Sequence, residues 1–65
     1  MTHEQKEIML DKAVEMSKRI PNDTIYVLTK GNKFQITPLI SIAIEYKSVK
    51  KFKLYCKIKN GCLVL

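Results

Sequence analysis

Apolar positions in the first twenty residues recur with the period of an α-helix. At 100° per residue Met9, Ala13, Met16 and Ile20 share one stripe, widened by Leu10 and Val14. Glu4, Glu7, Asp11, Lys12, Glu15, Lys18 and Arg19 take the opposite side. Thr2 followed by Gln5 makes a capping-box pattern, early acids and late bases suit the helix dipole, and Pro21-Asn22-Asp23 stops the run. This pattern predicts a helix over about 3–20 with its apolar stripe turned to the protein's own core.

Beyond Asp23 the period drops to two. Ile25 and Val27 alternate with Tyr26 and Leu28, and Lys30-Gly31-Asn32-Lys33 reads as a hairpin turn, since Gly31 and Asn32 both tolerate positive φ. That register sets Val27 opposite Ile36 and Thr29 opposite Phe34. Thr37-Pro38 interrupts the pairing, because proline has no N–H to give. Ile40, Ile42, Ile44 and Tyr46 then alternate with Ser41, Ala43, Glu45 and Lys47, and their β-branched content argues for a third strand. Thr-Pro can instead open a short helix through Leu39–Tyr46. On the strand reading, a loop over 47–51 pairs Tyr46 with Phe52, Ile44 with Leu54, Ile42 with Cys56 and Glu45 with Lys53. Asn60-Gly61 is the strongest turn signal in the chain; it folds Cys62–Leu65 back, with Leu63 beside Ile58 and Leu65 beside Cys56.

The expected fold class is α+β: an N-terminal amphipathic helix packed on a five-stranded antiparallel meander sheet or small open barrel. The strands fall at about 24–29, 33–37, 40–46, 51–59 and 62–65, all within one domain, 1–65. The inner face would hold Ile25, Val27, Phe34, Ile36, Ile40, Ile42 and Ile44, continued by Phe52, Leu54, Cys56, Ile58, Leu63 and Leu65. The outer face would hold Tyr26, Leu28, Gln35, Glu45, Lys53, Tyr55, Lys57, Lys59, Cys62 and Val64. A helix followed by five meandering strands is similar to the order of Sm-like proteins. The stretch TIYVLTKGNKFQIT has that family's apolar strand, glycine-containing turn and second strand, and lacks the further glycine that bends the second strand sharply. The resemblance is one of topology and transfers no binding residue.

Composition narrows the class. A chain of 65 residues is one domain with a thin stability margin, and 46% apolar content is that of a globular protein. No apolar run approaches the roughly 18 residues of a membrane span. The polar, acidic opening MTHEQKEIML argues against a signal peptide, so a cytoplasmic protein without membrane attachment is expected. Cys56 and Cys62 make no disulfide framework, and with the remote His3 they cannot complete a zinc site; no metal or cofactor is expected.

Charge changes the picture more. The net charge is +6. Acids Glu4, Glu7, Asp11, Glu15 and Asp23 roughly balance the bases up to residue 23. Beyond it the lysines Lys30, Lys33, Lys47, Lys50, Lys51, Lys53, Lys57 and Lys59 meet Glu45 alone.

Catalytic constellations are scarce. His3 reads as a solvated residue near a helix start. Asp11 and Glu15 lie on the polar helix face among lysines. Cys62 has Lys57 and Lys59 near it but no base, and Lys30-Gly31-Asn32-Lys33 is not a phosphate loop. A non-enzymatic protein is expected. One expected function is nucleic-acid backbone binding with little sequence preference. Lys50, Lys51, Lys53, Lys57 and Lys59 would meet phosphates, and Tyr55 and Tyr26 would offer stacking surfaces. The plainer reading of the same lysines is a charged sheet face that resists aggregation. The other functional class is a protein-interaction module, such as an inhibitor or accessory factor encoded by a phage or mobile element that binds a host protein. It could form a homodimer through the terminal strand, with Cys62 and Val64 as interface residues.

Overall fold

The computed structural model describes residues 1–64. Helix α1 spans His3–Arg19, and its start is built as the sequence predicts. The Gln5 amide donates to Thr2 Oγ1 at 3.2 Å, and the Thr2 amide donates to Gln5 Oε1 at 2.8 Å. Strands β1 (Ile25–Lys30) and β2 (Lys33–Thr37) follow as a hairpin with Val27 opposite Ile36 and Thr29 opposite Phe34. Gly31 supplies φ 59° at the first turn position, the signature of a type II′ turn. Strands β3 (Lys53–Lys59) and β4 (Cys62–Val64) form the second hairpin, with Leu63 opposite Ile58, and Asn60 and Gly61 at φ 50° and 79° make a type I′ turn. The expected pairing of Leu65 with Cys56 lies outside the described residues.

The sheet has four strands, not five. Residues expected to form a strand over 40–46 form helix α2, Ile40–Ser48. The Leu39 amide donates to Thr37 Oγ1 at 3.1 Å in the turn just before the helix, whose first residue, Ile40, lies two places after Pro38. Sheet order is β2-β1-β3-β4, all antiparallel. β3 therefore lies beside β1, and the expected cross-strand pairs of residues 42–46 with 52–56 do not form. The Sm-like order of one helix and five consecutive strands is broken at the same place.

The physical reason is the burial of β1. Val27 and Leu28 are neighbours on a strand, so they point to opposite faces, and both are fully buried. Such a strand needs cover on both sides. On one face Met9 and Ala13 of α1 form the main core with Ile25, Val27 and Ile58. On the other, α2 packs against β1, β2 and β3, and Ala43, Thr37 and Leu28 are buried there. Demand for that second cover overrides the strand propensity of the isoleucines.

Three further expectations are corrected. Ile40 and Ile44 are 59% and 57% exposed, because α2 turns Ala43 rather than them toward the sheet. Leu63 is 70% exposed on the short edge strand, and Leu54 is partly exposed. The third concerns β3, where the register against β1 slips between Val27 and Leu28. Val27 opposes Cys56 but Leu28 opposes Leu54, leaving Tyr55 as the extra residue of a bulge.

Candidate functional site

The bulge decides where the lysines go. Lys57 lies in a row with Tyr26 and Val64, and Lys59 is opposite Cys62. These five residues share one face at one end of the sheet, as the sequence predicts. Tyr26, Lys57 and Val64 are half-buried there, while Lys59 and Cys62 are exposed. Lys53 is opposite Thr29 at the far end of the sheet, and the bulge places it on the α1 side. From Lys53 to Lys59 is about 20 Å at 3.3 Å per residue. The single lysine face expected from alternation is thus split in two.

The far end gains what the near end loses. Lys30 and Lys33 flank the first hairpin turn and oppose one another. The Lys30 ammonium donates to the Lys50 carbonyl at 2.9 Å, tying that hairpin to the α2–β3 loop. Lys50, Lys51 and Lys53 follow in that loop and at the start of β3, all exposed. Lys30, Lys33, Lys50, Lys51 and Lys53 therefore gather at one end of the sheet, with Lys30 and Lys33 on the α2 side and Lys53 on the α1 side. Lys30 and Lys33 escaped the sequence reading because their proximity to Lys50 depends on β1 pairing with β3.

Aromatic rings sit among these cations. Phe52 and Tyr46 pack edge to face, 5.1 Å between ring centroids, and the Phe52 amide donates to the Tyr46 carbonyl at 2.9 Å. The Lys50 ammonium lies 5.6 Å from the Tyr46 ring centre. An open cleft of about 480 Å³ runs beside them, walled by Lys33 and Gln35 of edge strand β2 and by Tyr46, Lys50 and Phe52. Tyr55, at the bulge, is exposed next to Lys53. Lys51 holds φ 62°, a left-handed conformation that costs a lysine about 1–2 kcal/mol relative to its ordinary backbone.

Other groups considered for chemistry are spread apart. His3 Nε2 lies 3.0 Å from Glu7 Oε1, both exposed on α1, and Glu15 pairs with Arg19. Cys56 is half-buried, and burial pushes its thiol pKa up; Cys62 is exposed on β4. Among the described residues no three His, Cys, Asp or Glu side chains gather as a metal-ligand set, and no helix is long and apolar enough to cross a membrane. Comparison with protein-family models, curated proteins and solved structures finds no match for the chain.

Proposed function

We propose that this chain is a small non-enzymatic basic binding module that contacts nucleic-acid backbone with little sequence specificity. The observation that carries the reading is the gathering of Lys30, Lys33, Lys50, Lys51 and Lys53 at one end of the sheet, beside the half-buried Tyr46–Phe52 pair and the exposed Tyr55. Lysine suits point-charge contacts to phosphate, and the chain's one arginine, Arg19, is engaged by Glu15 on α1. Lys57 and Lys59, with Tyr26 opposite Lys57 on β1, extend the field toward the other end of the sheet and would contribute less.

Fluorescence anisotropy with labelled single-stranded RNA, single-stranded DNA and duplex DNA tests this at low and near-physiological salt. If five phosphates are engaged, the log–log salt slope on single strands is about −3.5. Lys50→Glu with Lys53→Glu should abolish binding, whereas Lys57→Glu with Lys59→Glu should weaken it. Absence of binding at physiological salt, or normal binding by the first double variant, would sink the proposal.

A second reading has its own observation. Ile40 and Ile44 lie one turn apart on α2 and are exposed, and β4 is a sheet edge. Both features suit a protein-interaction module: a phage- or mobile-element-encoded inhibitor or accessory factor binding a host protein, or a homodimer paired through Cys62–Val64. Sedimentation of Val64→Lys and Ile44→Lys against the parent separates the two surfaces. A parent that stays monomeric at all concentrations removes the dimer.

A further inference from the structure

The cleft beside the lysine pole has a chemistry that charge alone does not require. Its size is that of a small-ligand site. Tyr46 and Phe52 supply π surface. Gln35 and Asn32 supply carboxamides, each able to donate and to accept hydrogen bonds. Lys33 and Lys50 supply ammonium ions to the same cleft. One wall is β2, an edge strand whose outward backbone groups have no neighbouring strand. A ligand using all of these has a flat aromatic body, a mixed donor and acceptor edge, and a negative charge attached to it. Inorganic phosphate would leave the rings unused. A neutral carbohydrate would leave the ammonium ions unused. A peptide acidic only through aspartate and glutamate offers no flat body.

The geometry points to a nucleotide: the cleft between β2 and the end of α2 takes one unpaired base against Tyr46 and Phe52, with its phosphate on Lys33 and Lys50. This deepens the backbone-binding reading and rests on it. Lys50 now covers the Tyr46 ring as a cation, and an arriving base would exchange with it, freeing the ammonium for phosphate. The Lys30 contact to the Lys50 carbonyl holds that loop in place during the exchange. Bases stacked inside a duplex cannot enter, so duplex DNA uses the lysines alone and single strands bind more tightly.

The test is a set of amide and carboxamide NMR titrations of ¹⁵N-labelled protein with a nucleoside monophosphate, a short single-stranded oligonucleotide and a blunt duplex. Single strands should shift the Gln35 and Asn32 carboxamides and the Phe52 amide, while duplex should shift only the lysine-bearing segments. Phe52→Leu and, as an independent change on another element, Gln35→Ala should each lower single-strand affinity about ten-fold and leave duplex affinity unchanged, the size expected for losing one stacked base. The monophosphate shifting the cleft while oligonucleotides do not would support a nucleotide site and overturn its link to strand binding. Strands that bind the lysines without moving any cleft signal would overturn this inference and spare the backbone reading. Failure of all three ligands to bind would overturn both.

Discussion

Lys51 is a large side chain in a conformation that favours glycine. If its place serves only the turn, Lys51→Gly should raise stability by about 1 kcal/mol in urea unfolding. If it serves phosphate, the same variant should also bind nucleic acid more weakly. Ser17 is fully buried; its hydroxyl donates to the Val14 carbonyl at 2.7 Å and accepts the Gly61 amide at 2.9 Å. Ser17→Ala leaves that amide without its partner and should cost about 1–3 kcal/mol, read from the same denaturation curves. The thiols should separate under alkylation, with exposed Cys62 reacting before half-buried Cys56. Because burial raises the Cys56 pKa in the folded state, its protonated form is favoured by folding, and stability should fall as pH climbs through and above the ordinary thiol range. What was legible at this scale was local: Thr2 and Gln5 find each other three residues apart, and Gly31, Asn60 and Gly61 announce their turns. The left-handed Lys51 has no such signature, because lysine gives no hint of positive φ.

Single residues in α2 show what an isolated segment can and cannot reveal. Ile40, Ile42 and Ile44 fit a strand by alternation. Ile42, Ala43 and Tyr46, the residues α2 turns away from solvent, fit a helix by spacing. Only the fully buried Leu28 decides between them, and it lies on another strand. The β3 bulge was hidden for a related reason, since an extra residue exists only relative to a partner, and the partner is β1. Helix and strand over 40–46 make opposite forecasts for neighbouring substitutions. Ile44→Lys, on the exposed side, should change stability by no more than about 0.5 kcal/mol. Ala43→Leu, against the sheet, should cost about 1–3 kcal/mol by overpacking. A strand over 40–46 would have reversed the order, so two thermal melts check the element directly.

At the scale of the whole molecule, a +6 chain with five of its lysines at one pole repels itself there. Raising sodium chloride to a few hundred millimolar should therefore raise the melting temperature, and saturation by an oligonucleotide at low salt should raise it further. A melting temperature indifferent to both would mean the pole is too well solvated to matter. The site was half legible in the sequence. Lys50, Lys51, Lys53 and Tyr55 were within reach because they are neighbours in the chain. Lys30, Lys33, Gln35 and Tyr46 were not, because they join that group only through long-range pairing.

That pairing also sets the order in which the protein can be made. Each hairpin closes over a two-residue turn and can form as soon as its own residues exist. The seam of β1 against β3 must instead bridge the chain from Lys30 to Lys53, so it carries a larger loop-closure cost than either hairpin. Ile58→Val, on the seam, should slow refolding in stopped-flow, whereas Leu63→Ala at the outer edge should mainly speed unfolding. During synthesis the consequence is sharper. The edge of β1 that β3 will occupy stays unpaired, flanked by apolar residues, until Lys59 has left the ribosome. A product truncated before β3 would keep that open sheet edge and should aggregate under conditions where the parent stays dispersed.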